Sequence, residues 1–272
     1  MAVQHIGPER ESLRESLAQL FAYRSLLGVV ARRELRLRYK QTALGVAWAV
    51  VHPLALMLVL TMVFSRIVKL DSEGVPYPLF SYAALLPWTF VATSTTLSMM
   101  SLVKDVELVT RIWFPRQILP IGSVLASLID FTIALILFLV LLVSFGHPPG
   151  WTAIAIVPLI VIQLLLVLGL ALFNSAVNVR YRDVKFIVPL GLQLWMFASP
   201  VVYSVAEVPE RLRSLYLLNP VAGLIDGYRA CLLHNRLPDW SSVGVAAAGA
   251  LVIFVVGWWY FRRVEIHFAD VI

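Results

Sequence analysis

Few side chains in this 272-residue sequence are equipped for chemistry, and none cluster as a reaction centre requires. The five histidines, His5, His52, His147, His234 and His267, are scattered without metal-ligand spacing. Cys231 is the single cysteine, which excludes an internal disulfide and any Cys-rich metal site. No glycine-rich Gly-x-x-x-x-Gly-Lys-Ser/Thr run is present to hold ATP phosphates, and no His-Glu-x-x-His or Gly-x-Ser-x-Gly motif occurs. The remaining polar candidates, His52, Asp130, Gln163, Asn174 and Gln193, lie inside apolar runs at unlike depths. Dispersed in this way, they suit the lining of a passage. Asp130 stands out, because an isolated carboxylate in hydrocarbon is costly and must face protein or water. It is either functional or hydrogen-bonded to Ser, Asn or Trp on a neighbouring helix. His52 has no second titratable group near it in sequence and reads as a packing residue.

The elements that must position these groups are set by hydropathy. With 60% hydrophobic residues, 14% charged residues and a mean hydropathy of +0.84, the chain is an all-α integral membrane protein. Apolar runs predict six spans, at about 43–64, 79–103, 118–145, 153–177, 186–203 and 243–261. Pro53 kinks the first. Gly122 and Ala126 in the third, and Gly244 and Ala248 in the sixth, give small-residue faces for close helix approach. Residues 1–40 form a separate arm and residues 41–272 the six-span transmembrane domain.

Charge then orients the spans. The island Asn178–Lys185, between two apolar runs, fits only a tight turn on the cytoplasmic side. With both termini inside, sixteen Lys and Arg fall on cytoplasmic segments and six on outer ones. The net charge of +6 therefore reflects topology and an anionic leaflet, not nucleic-acid binding. In the arm, Ser12 and Glu15 make a capping box, and Leu13, Leu17, Leu20 and Phe21 make the apolar face of an interface helix. Arg32, Arg33, Arg36, Arg38 and Lys40 follow as a cationic collar. It anchors the chain at the inner face, and a phosphate-bearing lipid or a protein partner is a sharper use of it.

Two loops carry more than topology requires. Lys104–Arg116 has room for one amphipathic helix closed by Pro115, and its acidic Asp105 and Glu107 suggest a matched protein surface. The turn Arg180–Lys185 offers a second contact on the same side. On the outer side, Ser204–Trp240 is too apolar for a solvated loop and too interrupted for two spans, so a pair of short helices dipping into the outer leaflet is expected.

Five stretches, in order over residues 32 to 235, carry a resemblance: Arg38–Trp48, Leu85–Phe90, Phe114-Pro115-Arg116, Asn178–Asp183 and Met196–Pro200. Together they resemble the permease subunit of type-2 ABC exporters, and most of all the branch that exports O-antigen, capsular polysaccharide or teichoic acid. The resemblance implies a homodimer in a bacterial inner membrane, paired with two copies of a separate ATPase that carries ATP and Mg²⁺; this chain itself has no cofactor. It maps a coupling helix onto Lys104–Arg116, with Lys104, Asp105, Glu107, Arg111, Phe114, Pro115 and Arg116 facing the ATPase, joined by Arg180, Tyr181, Arg182 and Asp183. It maps an interface helix onto Ser12–Leu27 and re-entrant gate helices onto Val208–Leu233. The implied substrate is an undecaprenyl-diphosphate-linked glycan. Its phosphate would meet the collar, and its sugars would pass Trp48, Tyr82, Trp88, Asp130, Phe197 and Tyr203. A permease for small lipids or drugs, and an intramembrane enzyme acting on lipid-linked sugars, remain the alternatives. The enzyme would need clustered carboxylates or histidines.

Overall fold

Long apolar runs leave the backbone one way to satisfy its own amides in lipid, and helices form. The computed structural model describes residues 19–40, 42–68, 72–111, 113–209, 211, 216 and 218–268, and every regular element among them is helical. The helices are α1 (Arg24–Tyr39), α2 (Trp48–Leu60), α3 (Tyr77–Lys104), α4 (Val106–Arg111) and α5 (Ile118–Ser144). They continue as α6 (Ile156–Arg180), α7 (Val184–Phe197), α8 (Pro220–Leu232) and α9 (Trp240–Val264). Gly45, at φ +53°, makes the left-handed corner between α1 and α2 that other residues rarely adopt. The start of the expected interface helix, Ser12 with Leu13 and Leu17, lies outside the described residues, as does part of the outer segment 204–240.

Four stretches among the described residues are long and apolar enough to cross a membrane: Gly45–Ser65, Ile118–Ser144, Trp151–Arg180 and Trp240–Val264. The chain is thus a multi-pass membrane protein. The other two expected spans differ from the sequence reading. Helix α3 has 28 residues, ample for a crossing, yet is too polar to stand among the four. Its Ser81, Ser94, Thr95, Ser98 and Ser101 are buried, and α3 packs on α5, α6, α8 and α2, so other helices meet it where lipid would meet an ordinary span. Helix α7, expected to run over 186–203, has 14 residues and stops at Phe197. At 1.5 Å per residue that is roughly 21 Å, short of a hydrocarbon core of about 30 Å.

Two close backbone approaches fix the packed side. A Cβ on Gly257 of α9 would collide with the carbonyl oxygen of Gly169 in α6, and one on Gly169 would lie 2.6 Å from Phe254 Cα. A Cβ on Gly122 of α5 would meet Val30 Cγ1 of α1 at 2.6 Å, so the small face expected on the third span receives the arm. On α9 the expected face is corrected: Gly244 and Ala248 are exposed, and Ala246, Ala250 and Gly257 make the contacts. Ala246 and Ala250 each lie two residues beyond the expected pair, about 200° round the helix and so on its opposite face.

The core has two parts. The larger surrounds Phe80, Tyr82, Leu86, Phe138, Leu166 and Tyr228. The smaller gathers Val30, Leu102, Val109, Phe114, Val179 and Phe261, joining α1 and α4 to the ends of α3, α6 and α9. The charged island contracts: α6 continues through Arg180, leaving Tyr181–Asp183 as the turn, and Asn178 points inward to donate to the Met99 carbonyl at 3.1 Å.

Candidate substrate-entry site

The collar is a helix, and helical spacing divides it into two faces. Arg32, Arg36 and Lys40, four residues apart, form an exposed stripe on α1. The intervening residues turn toward the bundle. Arg33 pairs with Asp105, and Glu34 pairs with Lys104 at 3.2 Å. Both contacts tie α1 to the junction of α3 and α4. One turn further on, the Arg38 guanidinium pairs with Asp130 of α5, and a second nitrogen lies 3.3 Å from Ser127 Oγ. The Tyr39 hydroxyl donates to the other Asp130 oxygen at 2.6 Å. Burial, reinforced by the Asp130 carboxylate it bonds, pushes the Tyr39 phenol up to about 12, so it remains a proton donor at physiological pH.

Two cavities meet at Arg38. The first, about 330 Å³, is walled by Arg38, Tyr39, Trp48, His52, Ser127 and Asp130 among others. The second, about 540 Å³, is a groove between α3 and α7 that has Arg38 at its wall with Trp88, Thr93, Thr96, Gln193 and Met196. Thr89 lines the first cavity and Thr93 both, so one α3 face carries hydroxyls from one space into the next. Trp88 packs edge-on against Trp195 of α7, with ring centres 6.0 Å apart. A cation and a phenol suited to a phosphate thus open onto a wall of aromatic, hydroxyl and amide groups.

The other sequence-predicted residues fall into three sets. Trp48 and Phe197 are exposed on α2 and at the end of α7. Tyr82 is wholly buried, stacked on Phe138 at 5.2 Å with its hydroxyl donating to the Ala134 carbonyl, and has no free face to offer a sugar. Tyr203 is held at the outer end, donating to the Phe197 carbonyl at 3.0 Å and accepting from the Tyr216 hydroxyl.

In the loop expected to meet a partner, Lys104 and Asp105 are engaged by α1, and Phe114 and Pro115 are buried. Arg116 bonds Glu265 through its backbone amide at 3.1 Å and also through its side chain. Burial pushes the Glu265 carboxyl up, against the opposing effect of Arg262 and Arg116. Glu107 and Arg111 stay exposed on α4, and Arg180, Tyr181, Arg182 and Asp183 are exposed at the turn.

Sequence reasoning missed Arg229. It lies wholly buried in α8, donates to the carbonyls of Tyr203 and Val201 at 3.1 and 3.2 Å, and stands 3.6 Å over the Phe80 ring. Asp226 and Arg229, three residues apart inside the otherwise apolar run Val221–Leu233, were the available signal. Gln163 is a second structural tie, donating to the Pro87 carbonyl and accepting from Tyr228, both at 2.8 Å. No three His, Cys, Asp or Glu side chains converge as metal ligands among the described residues.

Comparison with known proteins decides the class. The family model described as ABC-2 type transporter matches residues 25–233. The chain belongs to the ABC-2 type transporter family. The match begins in α1 and ends just beyond α8, so both the arginine–aspartate pair and Arg229 fall inside it. The chain is 35% identical over 238 residues to an O-antigen export system permease protein of Myxococcus xanthus, covering 86% of this chain and 90% of that one. A Klebsiella pneumoniae protein of the same description is 26% identical over 261 residues, covering 96% and 98%. The polysialic acid transport protein of Escherichia coli is 21% identical over 238 residues, covering 86% and 91%. As an ABC-2 family member the chain is a transport subunit, not an enzyme, and works with an ATPase partner.

Proposed function

We propose that this chain is the membrane-spanning permease subunit of an ATP-driven exporter that moves a lipid-linked polysaccharide of the O-antigen type outward across the bacterial inner membrane. The observation that carries this reading is the nearly full-length match to a permease named for O-antigen export. The cavity at Arg38, opening onto the groove of α3 and α7, supports it from the geometry.

In this reading residues 1–40 are the cytoplasmic arm and 41–272 the permease domain, with six spans and both termini inside. Helices α3 and α7 supply the second and fifth spans. Val208–Leu233, which includes the buried α8, is the re-entrant outer part. Two copies pair and dock two ATPases, which carry the ATP and Mg²⁺. Docking falls to the exposed Glu107 and Arg111 of α4 and the exposed Arg180–Asp183 turn, while Lys104, Asp105 and Arg116 brace that surface from behind. The undecaprenyl diphosphate enters along the Arg32, Arg36 and Lys40 stripe and reaches Arg38 and Tyr39. Sugars follow past Trp48, Trp88 and the threonines of α3, because stacking faces and hydroxyls hold a glycan without fixing its order. Closure of the ATPase pair shifts the permease between conformations by its differential contact with α4.

Depletion of the protein followed by assay of lipid-linked polymer in cell fractions tests the reading. Full-length glycan accumulating at the cytoplasmic face, with surface polymer lost, is the expected result. Normal surface polymer with no accumulation overturns the polysaccharide assignment and points to a small lipid or drug.

A further inference from the structure

Asp130 has two donors, Arg38 and Tyr39, and both belong to the arm that ends at the cavity. These are the donors a phosphate group needs: a guanidinium and a hydroxyl a few ångströms apart, beside open space. Neither ion of the pair is sealed off, with the Arg38 side chain 20% and that of Asp130 17% exposed. Arg38 also reaches the second cavity, so its guanidinium can exchange partners through side-chain rotation with α1 in place. Asp130 thus stands where an incoming anion would bind.

We infer that Asp130 is an affinity-setting residue, a built-in carboxylate that competes with the diphosphate of the lipid carrier for Arg38 and Tyr39. The inference rests on the function proposed above and assigns a role within it. With no substrate, the carboxylate keeps Arg38 oriented and paired. When substrate arrives, the diphosphate must displace the carboxylate or share the donors with it, and it meets a negative charge in doing so. Apparent affinity falls by the fraction of time the donors are engaged by Asp130. A transporter has use for that penalty, because a headgroup held by an uncontested arginine in a low-dielectric cavity leaves slowly. After release, Asp130 re-forms the pair and resets the site.

A purely structural Asp130 and a competing Asp130 predict opposite signs. The test uses the permease with its ATPase in lipid nanodiscs, with undecaprenyl diphosphate as the probe and undecaprenol as the neutral control. Competition predicts that Asp130→Asn binds the diphosphate about tenfold more tightly than wild type, as expected when a tenth of the donor sites is free. Asp130→Glu, which keeps the charge, stays near wild type, and Arg38→Gln loses binding. Folded Asp130→Asn that binds equally or more weakly overturns the competition. If Arg38→Gln binds like wild type, or wild type does not prefer the diphosphate to undecaprenol, the diphosphate reading of this cavity falls first and the inference with it.

A second measurement covers the case in which Asp130→Asn does not fold. The wild-type chain labelled at arginine side-chain nitrogen and aspartate carboxyl carbon reports the Arg38–Asp130 pair directly by solid-state magnetic resonance. Saturating undecaprenyl diphosphate should weaken that nitrogen–carbon coupling while undecaprenol does not, and an unchanged coupling with bound diphosphate overturns the exchange.

Discussion

The chain uses two inward-facing arginines in opposite ways. Arg229 is buried; it donates to the backbone carbonyls of Val201 and Tyr203 and lies over the face of Phe80, with the Glu73 and Asp226 carboxylates acting on its charge. Arg38 is partly exposed, its charge partner is one side-chain carboxylate, and it borders two cavities. Backbone carbonyls cannot leave without unfolding the turn that bears them. A carboxylate on a helix can give up its partner by rotation alone. The first arrangement holds the turn after α7 against α8. The second suits a site that must bind and release. What separates architecture from machinery here is the exchangeability of the partner, not the buried charge.

The contrast can be broken most forcefully at the outer end. Arg229→Met should leave two carbonyls without donors, a loss of order 3 kcal/mol that lowers the melting temperature of the purified protein. Arg38→Gln leaves Asp130 with Tyr39 and the open cavity, so it should lose less stability than Arg229→Met yet reduce surface polymer by roughly tenfold or more, since a charge-assisted contact to phosphate is lost. If both variants melt alike, the two arginines do the same job and the distinction fails. At the partner-facing end, Glu107→Ala with Arg111→Ala should leave the fold intact and weaken ATPase docking severalfold, because exposed ion pairs each contribute about 1 kcal/mol or less. An unchanged pull-down of the ATPase removes α4 from the docking surface. The smallest effect should come from Arg32→Gln with Arg36→Gln on the exposed stripe, about a twofold fall in export that shrinks as ionic strength rises if surface attraction is what they supply.

Hydropathy made four membrane helices legible, because a span needs only length and apolarity and its lipid-facing side chains are selected by solvent alone. It misjudged α7, whose charged turn and Met196–Pro200 end leave 14 helical residues in between. Asp130 shows where the sequence stops speaking. Its position in an apolar run demanded a partner, and hydrogen-bonding neighbours among Ser, Asn and Trp were the natural candidates. The partner is an arginine 92 residues away, in an arm read as a lipid collar. Charges at Lys104, Asp105 and Arg116 were ambiguous for the same reason. Complementarity between two segments of one chain and between two chains leaves the same residues in the sequence, and here Arg33, Glu34 and Glu265 of this chain answer them. Gly257 gave even less warning, since a backbone contact has no side-chain signature beyond the glycine itself.

Helix α3 carries a consequence for how the protein reaches the membrane at all. A segment dotted with serine and threonine partitions poorly into lipid when it leaves the insertion channel alone. Many of its hydroxyls bond carbonyls of their own helix, such as Ser101 to Ser98 at 2.7 Å and Thr96 to Ala92 at 2.8 Å, which reduces that penalty without abolishing it. Its shelter on one side is α5, which is synthesised afterwards, so the channel must retain α3 until the strongly apolar Ile118–Ser144 emerges and the two depart together. In a nascent chain stalled shortly after Lys104, α3 should remain cross-linkable to the insertion channel, and in one stalled well beyond α5 it should not.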